Sequence, residues 1–355
     1  MEQATALIGG LGGERARWTE DSHKFDQTKK ALVGDVAIGC AFVSYCGPFN
    51  QEFRDYIVHN RLTSDLKKRA VPCSPSLDII PLLVDVGEMG DWNLEGLPTD
   101  PLSIQNGILV TRSSRYPLLI DPQGQALNWI KCHEEARLPT FGPTSLNNPR
   151  LRDQVEFTMA EGRALIVTGI EEELDPMLDP VLQKQVIVKG KSKYINITDK
   201  LCEYQDEFML YLTTRLPNPT FSPEDQAKTT VVDFTVTMKG LEEQLLGRVI
   251  QKEQRSLEEQ LNTVLEEVST NTKALLRLDE LLLERLSANS GNLLDDEELI
   301  AVLAETKTKA LEVNDKLNAA ATTRESINDK REQYRPAATR GSVLYFTIVD
   351  MSQVN

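Results

Sequence analysis

The 355-residue sequence is short of the residues that hold metals. Its three histidines (His23, His59, His133) lie far apart, and its five cysteines (Cys40, Cys46, Cys73, Cys132, Cys202) are scattered, odd in number and without a CxxC pair. No zinc spacing results, and free thiols in a reducing compartment are the expectation. Cys132 and His133 are neighbours, but adjacency along the chain does not set a base against a nucleophile, so no catalytic dyad is read there. Positive charge is scarce too: 39 Lys and Arg against 54 Asp and Glu leave a net charge of −15. That excludes the basic footprint of a general nucleic-acid binder and a surface that seeks anionic lipid. No run approaches the about 18 apolar residues of a membrane span, and MEQATALIGG has no apolar core of signal-peptide length. Neither nucleic acid nor membrane is therefore an expected partner. The chain reads as intracellular, and Asn196-Ile197-Thr198 is discounted as a glycosylation acceptor.

What is present is a folded composition, 40% apolar and 26% charged, in a chain long enough for two or three structural units. Gly9, Gly10, Gly12 and Gly13 are expected to end a helix arriving from the left, so the chain reads as cut from something longer. KALVGDVAIGCAFVSYC and NQEFRDYIVHNRLTSDLKKR carry helical spacing and are separated by Pro48. Strand-like pieces are expected at Asp78 to Val84 and at Gly107 to Thr111. Beyond them LLID reads as a buried strand, Gln125 to Cys132 and Asn148 to Ala160 as helices, and ALIVTGI as a continuous apolar strand. VIVKGKSKYINI reads as a hairpin turning at Lys189-Gly190-Lys191, and FMLYLTTRL and TTVVDFTVT are β-rich. Continuous apolar strands between helices imply a parallel sheet covered on both faces, hence an α/β unit.

After Thr237 the pattern changes to a heptad. Leu257, Leu261, Val264, Val268, Asn271, Leu275, Leu278 and Leu282 alternate spacings of 4 and 3, and so do Leu299, Leu303, Thr306, Ala310, Val313, Leu317, Ala320, Arg324, Ile327, Arg331 and Tyr334. A sustained 3.5-residue period predicts a coiled coil. Ala288 to Asn292 is a turn signal, and Asp295 and Asp296 favour a new helix start. The expectation is an antiparallel helical hairpin over 241–334, with arms of about 40–48 residues and a length of about 60–70 Å. Polar seam residues (Asn271, Thr306, Arg324, Arg331) set its register or leave room for a second partner along it.

The chemistry-bearing candidate is RYPLLIDPQGQALNWIK. A strand, a tight polar loop and a helix, in that order, can cradle phosphate on backbone N–H groups. A P-loop needs G-x-x-x-x-G-K-[ST]. Here Gly124, Gln125 and Ala126 stand where Gly-Lys-Ser would, Leu119 replaces the first glycine, and Asp121 adds negative charge near the phosphate position. Tight binding of a magnesium nucleotide is not expected. Gly190-Lys191-Ser192 spells GKS between hairpin strands and reads as a turn. Glu171, Glu172, Glu173 and Asp175 follow an apolar strand where a nucleotide site would keep acids for magnesium and water, and Thr213 and Thr214 stand where a polar phosphate sensor would. Each of these sets also has a bland reading, as a solvated acidic loop and as good β-formers. No catalytic residue and no metal ligand set is assigned.

Nine segments in fixed order, among them LIGGLGGERARW, SYCGPFNQEFRDYI, WNLEGLPTDPLSIQNGILVT, RYPLLIDPQGQALNWIK, VVDFTVTMKGLEEQLL and RPAATRGSVLYFTIVDMSQVN, resemble dynein heavy chains across nearly the whole length. SYCGPFNQEFR and RPAATRGSVLYF are most similar to the outer-arm axonemal gamma type. The resemblance implies an AAA+ type, P-loop-like α/β subdomain followed by a long antiparallel coiled coil. It divides the chain into the end of a stalk helix (1–27), the helical remainder of the fourth AAA+ module (28–75), the large subdomain of the fifth (76–238), the buttress hairpin (239–334) and a return segment toward the sixth (335–355). The parent would be an ATP-driven microtubule motor of the cilium or flagellum axoneme, with ATP and magnesium bound elsewhere in it. This piece would be a non-hydrolysing mechanical module without a cofactor of its own. Its partners would be the fourth and sixth modules and the stalk directly, and microtubules and the intermediate and light chains through the parent. The alternatives are a regulatory nucleotide-binding module and a free coiled-coil adaptor.

Overall fold

A computed structural model describes residues 2–171, 173–288 and 297–352. The first helix, α1 (Glu2–Tyr45), runs unbroken through Gly9, Gly10, Gly12 and Gly13. The expected helix end there is overturned. Each interior glycine costs about 1 kcal/mol, but none of the four adopts the left-handed backbone that a terminal glycine supplies. The chain turns after Tyr45 at Gly47, where a Cβ would come 2.0 Å from the Val231 carbonyl oxygen, so only glycine lets this turn touch the sheet. Helix α2 (Gln51–Asp55) starts at Asn50, whose side chain accepts the Phe53 N–H at 3.0 Å. A π-helical stretch (Tyr56–Leu62) leads into α3 (Thr63–Lys68).

Next come α4 (Ile79–Leu83), α5 (Val86–Leu94) and α6 (Pro101–Arg112), begun by the capping carboxylates of Asp78, Asp85 and Asp100. The strands expected at 78–84 and 107–111 are thus helices. Asp78 accepts the Ile80 N–H at 3.1 Å and starts a helical turn. Residues Leu102 to Val110 of α6 are buried all round, so their apolar run lacks the one-sided pattern that separates a helix from a strand.

The α/β unit then runs β1 (Pro117–Ile120), α7 (Gln125–His133), β2 (Thr144–Ser145), α8 (Leu151–Glu161), β3 (Ala164–Thr168) and α9 (Asp179–Leu182); β1, α7, α8 and β3 fall where expected, whereas the sequence pattern did not mark β2 and α9. β4 (Val186–Lys189), β5 (Ser192–Ile197) and β6 (Lys200–Tyr204) form an antiparallel sheet, with Gly190 in the left-handed turn between β4 and β5. The GKS triplet is therefore a hairpin turn, as expected. β6 adds a third strand that the sequence pattern did not mark. β7 (Met209–Thr214), α10 (Pro223–Lys228) and β8 (Thr230–Asp233) complete the unit. The main sheet is parallel throughout, in the order β2-β3-β7-β1-β8.

Neighbouring residues on its strands alternate between two cores. Leu119, Ile166, Tyr211 and Val232 face the side of Phe42, Trp92, Ile108 and Trp129. Leu118, Leu165, Leu212 and Val231 face Val155, Ile195 and Ile197. Covering on both faces explains the unbroken apolar strands.

One buried cation joins the N-terminal helices to this sheet. Arg54 is fully buried, and its guanidinium donates to the carbonyls of Cys46 and Gly47 (each 2.9 Å) and to Oδ1 of Asn106 (2.7 Å). Asn106 in turn donates to the Asp233 carbonyl at 2.7 Å. Burial pulls the Arg54 pKa down to about 10, opposed by Cys46, Asp233 and Asp55, so it stays charged at neutral pH.

After Thr237, which caps α11 (Met238–Glu253) by accepting the Gly240 N–H at 3.1 Å, most of the described residues are helical. α12 (Arg255–Ala288), α13 (Glu297–Glu332) and α14 (Arg335–Ser352) follow. The first arm is not continuous from 241 as expected. It breaks at Gln254, whose backbone (φ −142°, ψ 67°) leaves the helix. α12 packs on α13 around Leu261, Val264, Ala320 and Ile327, all predicted seam positions. α11 packs on α14 around Leu246, Ile250 and Ala338. The turn expected after Ala288 and the caps Asp295 and Asp296 lie outside the described residues. Among the described residues, no helix is long and apolar enough to cross a membrane.

Candidate functional site

β1 lies between β7 and β8 in the interior of the sheet, and its carboxyl end delivers the loop Asp121-Pro122-Gln123-Gly124 to the start of α7. Open α/β sheets bind ligands at such strand ends. Gly124 is the N-cap, in the left-handed region (φ 76°, ψ 18°), and offers no side chain to the helix. The free N–H groups of a first helical turn are an anion site. Here the anion is built in. The carboxylate of Asp121 accepts the N–H of Gln125 at 2.8 Å through Oδ1 and that of Leu127 at 2.9 Å through Oδ2. Asp121 is 2% exposed. Burial pushes its pKa above the ordinary carboxylate range, and the surrounding amides of Leu127, Gln125, Ala126 and Gly124 pull it back. The Gln125 and Leu127 amides of the first turn of α7 are thus taken by the side chain of the residue that follows β1.

Gln125, at the position of the P-loop lysine, turns sideways. Its Nε2 donates to Oγ of Ser103 at 3.3 Å, and its Oε1 accepts from Nε2 of Gln244, on α11, at 2.9 Å. Gln123 donates through Nε2 to the Tyr345 hydroxyl, on α14, at 3.1 Å. Ala126, at the position of the magnesium-binding hydroxyl, is fully buried in the core. The hollow beside the loop, lined in part by Asp100, Ser103, Gln125, Thr235 and Gln244, encloses ≈ 10 Å³. That is room for about one water, against the roughly 300–1,000 Å³ of a small-molecule site.

The other described candidates lie along the same carboxyl edge of the sheet, at the ends of β3 and β7. Glu171 is exposed, beyond the left-handed Gly169 (φ 75°), and Glu172 lies outside the described residues. Thr213 and Thr214 are buried at the end of β7. The Thr214 carbonyl accepts the Asp121 N–H at 2.9 Å and its hydroxyl accepts the Leu216 N–H at 3.2 Å, so this residue is taken up in holding the loop. Among the described residues, no group of His, Cys, Asp and Glu has metal-site geometry.

Sequence reasoning placed Asp121 near the phosphate seat but as a repelling charge, not as its occupant. The signal that would have found it is an Asp four residues before a helix start, followed by Gly at the cap. Gln244 and Tyr345 carried no signal, since their role depends on the approach of helices more than 100 residues away.

Comparison with known proteins adds an independent line. Residues 90–313 match the family described as the ATP-binding dynein motor region, and residues 1–64 match that described as the microtubule-binding stalk of dynein motor. The chain is 52% identical over 353 residues to the dynein gamma chain of the flagellar outer arm of Chlamydomonas reinhardtii. It is 50% identical over 355 residues to dynein axonemal heavy chain 8 of Mus musculus, and 48% over 355 residues to dynein axonemal heavy chain 5 of Mus musculus. These matches cover 99–100% of this chain and 8% of each relative.

Proposed function

The chain belongs to the axonemal dynein heavy chains, as a stretch of their motor region, and on that premise we propose that it is a non-hydrolysing mechanical element of an ATP-driven microtubule motor in the cilium or flagellum axoneme. Its α/β unit is the large subdomain of the fifth AAA+ module (76–238). Residues 1–27 and 28–75 are the end of the stalk helix and the helical remainder of the fourth module. Residues 239–334, with α12 and α13 as an antiparallel coiled-coil hairpin, are the buttress, and 335–355 lead toward the sixth module. ATP and magnesium act elsewhere in the parent, and this unit moves with the ring and passes that movement to the stalk through the hairpin. Packed interfaces of this kind respond in discrete steps, which suits a relay. Microtubules and the intermediate and light chains are partners of the parent.

The single observation that carries this reading is the Asp121 carboxylate on the Gln125 and Leu127 amides. It supports a loop that is closed to phosphate and used as a joint, with Gln125 reaching Gln244 on α11. The rival is a regulatory nucleotide site, which needs Gln125 on phosphate. A free coiled-coil adaptor is disfavoured by the α/β unit in the same chain.

Calorimetric titration of residues 1–355 with Mg-ATP and Mg-ADP, beside the Gln125→Lys, Ala126→Thr double variant, tests the reading. No heat from the natural chain is the expected result. Saturable micromolar binding would overturn it in favour of the regulatory site.

A further inference from the structure

α12 uses two faces. Leu261 and Val264 meet α13. Ser269 and Lys273, one turn apart and off that seam, meet α5, which presents Gly87, Gly90 and Asp91 there. A Cβ added at Gly90 would lie 3.0 Å from Cβ of Ser269, and one at Gly87 would lie 3.0 Å from the Lys273 side chain. Glycines three residues apart on a helix let a second helix approach closely. Ser269 is 5% exposed, and its Oγ donates to Oδ1 of Asp91 at 3.1 Å, with a longer contact to the Gly87 carbonyl at 3.4 Å. Nζ of Lys273 pairs with the other Asp91 oxygen, and both side chains are about half exposed. One carboxylate thus holds two residues of α12.

The second observation is the break at the root of α12. Gln254 leaves the helix between α11 and α12. Ser269 lies 15 residues beyond it, about 22 Å at about 1.5 Å per residue. The non-helical residue at this junction leaves the direction of α12 to be set by its tertiary contacts, and a hold about 22 Å along it is one of them. Among the described side chains the hold is small and polar, and half-exposed ion pairs bind weakly.

We propose that the Gly87–Asp91 face of α5 is a releasable docking cradle for α12, and that Gln254 is the pivot about which α12 turns when the cradle opens. The cradle sets the angle between the helical arm and the α/β unit. It concerns how the arm is held, so it stands or falls independently of nucleotide binding at the Asp121 loop.

The test uses the full 355-residue chain with Cys40 and Cys132 replaced by Ser. Hydrogen exchange is followed for the natural pair, for Lys273→Asp, and for the swapped pair Asp91→Lys with Lys273→Asp. Lys273→Asp should speed amide exchange around 265–275 by at least about tenfold while β1 and β7 keep their protection, and the swap, which restores the ion pair but not the acceptor of Ser269, should slow it again in part. Unchanged exchange in Lys273→Asp, or no recovery in the swapped chain, would overturn the cradle. Spin labels at Arg248 and Glu266 read the pivot. Their separation should broaden in Lys273→Asp, and a single narrow distance there would overturn the pivot.

Discussion

Asp121 accepts the backbone N–H of Leu127, six residues further on, at 2.9 Å, while its other oxygen takes that of Gln125. A carboxylate carried by the chain thus does for this helix what a phosphate does in a P-loop.

Removing that carboxylate should expose the seat. Asp121→Ala leaves buried amides without an acceptor, at a cost of about 1–3 kcal/mol in urea unfolding. Inorganic phosphate or sulfate should then raise the melting temperature of the variant and leave that of the natural chain unchanged. Equal response of both chains would show that the seat is not where the anion acts.

Asp121 also gives the molecule a pH signature. Burial raises its pKa in the folded chain above the ordinary value of 3.8. Below that value the group is protonated in both states. Between it and the raised folded value, the folded chain holds a proton that the unfolded chain has lost, so this contribution to stability falls as pH rises. Asp121→Asn lacks the slope. The unfolding free energy of the natural chain, relative to the variant, should therefore decline as pH rises through this window. A constant difference would contradict the assignment.

Arg54 should be among the most sensitive positions of the N-terminal part. Truncation to Ala strips the Cys46 and Gly47 carbonyls and Asn106 of their donor, and breaking a buried charged network costs about 3–5 kcal/mol. Arg54→Lys should recover little of this, because an ammonium cannot span acceptors placed for a planar fork. Denaturant midpoints for the three chains decide it, and full stability in the Lys variant would mean that charge alone suffices.

Two glycines should behave differently. Gly47→Ala forces a Cβ to 2.0 Å from the Val231 carbonyl oxygen, so backbone must move, at a cost of about 1–3 kcal/mol or more. Gly190→Ala meets nothing within 4 Å, and its left-handed φ of 66° is the sole obstacle, worth about 1 kcal/mol. Thermal melts that rank them in the opposite order would refute the close approach of this turn to the sheet.

Thiol labelling should separate the cysteines. Cys40 and Cys132 are exposed, whereas Cys46 and Cys202 are buried. Burial pushes the Cys46 thiol up to about 11, against some relief from Arg54. At pH 8.5 it holds about a hundredfold less thiolate than an ordinary cysteine. Mass spectrometry after brief alkylation should find Cys40 and Cys132 modified and Cys46 intact. Early modification of Cys46 would mean that the turn beside Arg54 opens.

Periodicity and turn chemistry were enough to mark much of this molecule. LLID, ALIVTGI and FMLYLTTRL contain the strands β1, β3 and β7, and Gly190 turns a hairpin, because local propensity and burial agree there. The heptad positions Leu261, Val264, Ala320 and Ile327 meet because a 3.5-residue period leaves them on one stripe. The altered loop at Gly124, Gln125 and Ala126 was legible as lacking the charge and hydroxyl of a P-loop, since both are read directly from the residue types. Where both faces of a segment are buried, as in α6, the pattern carries no phase, and strand and helix read alike. The occupant of the phosphate seat, the bridge from Gln125 to Gln244, the break at Gln254 and the hold of α5 on Ser269 were decided by tertiary structure. Each depends on distances between groups that are far apart in the chain or on a single backbone angle, and neither is written in the spacing of residue types.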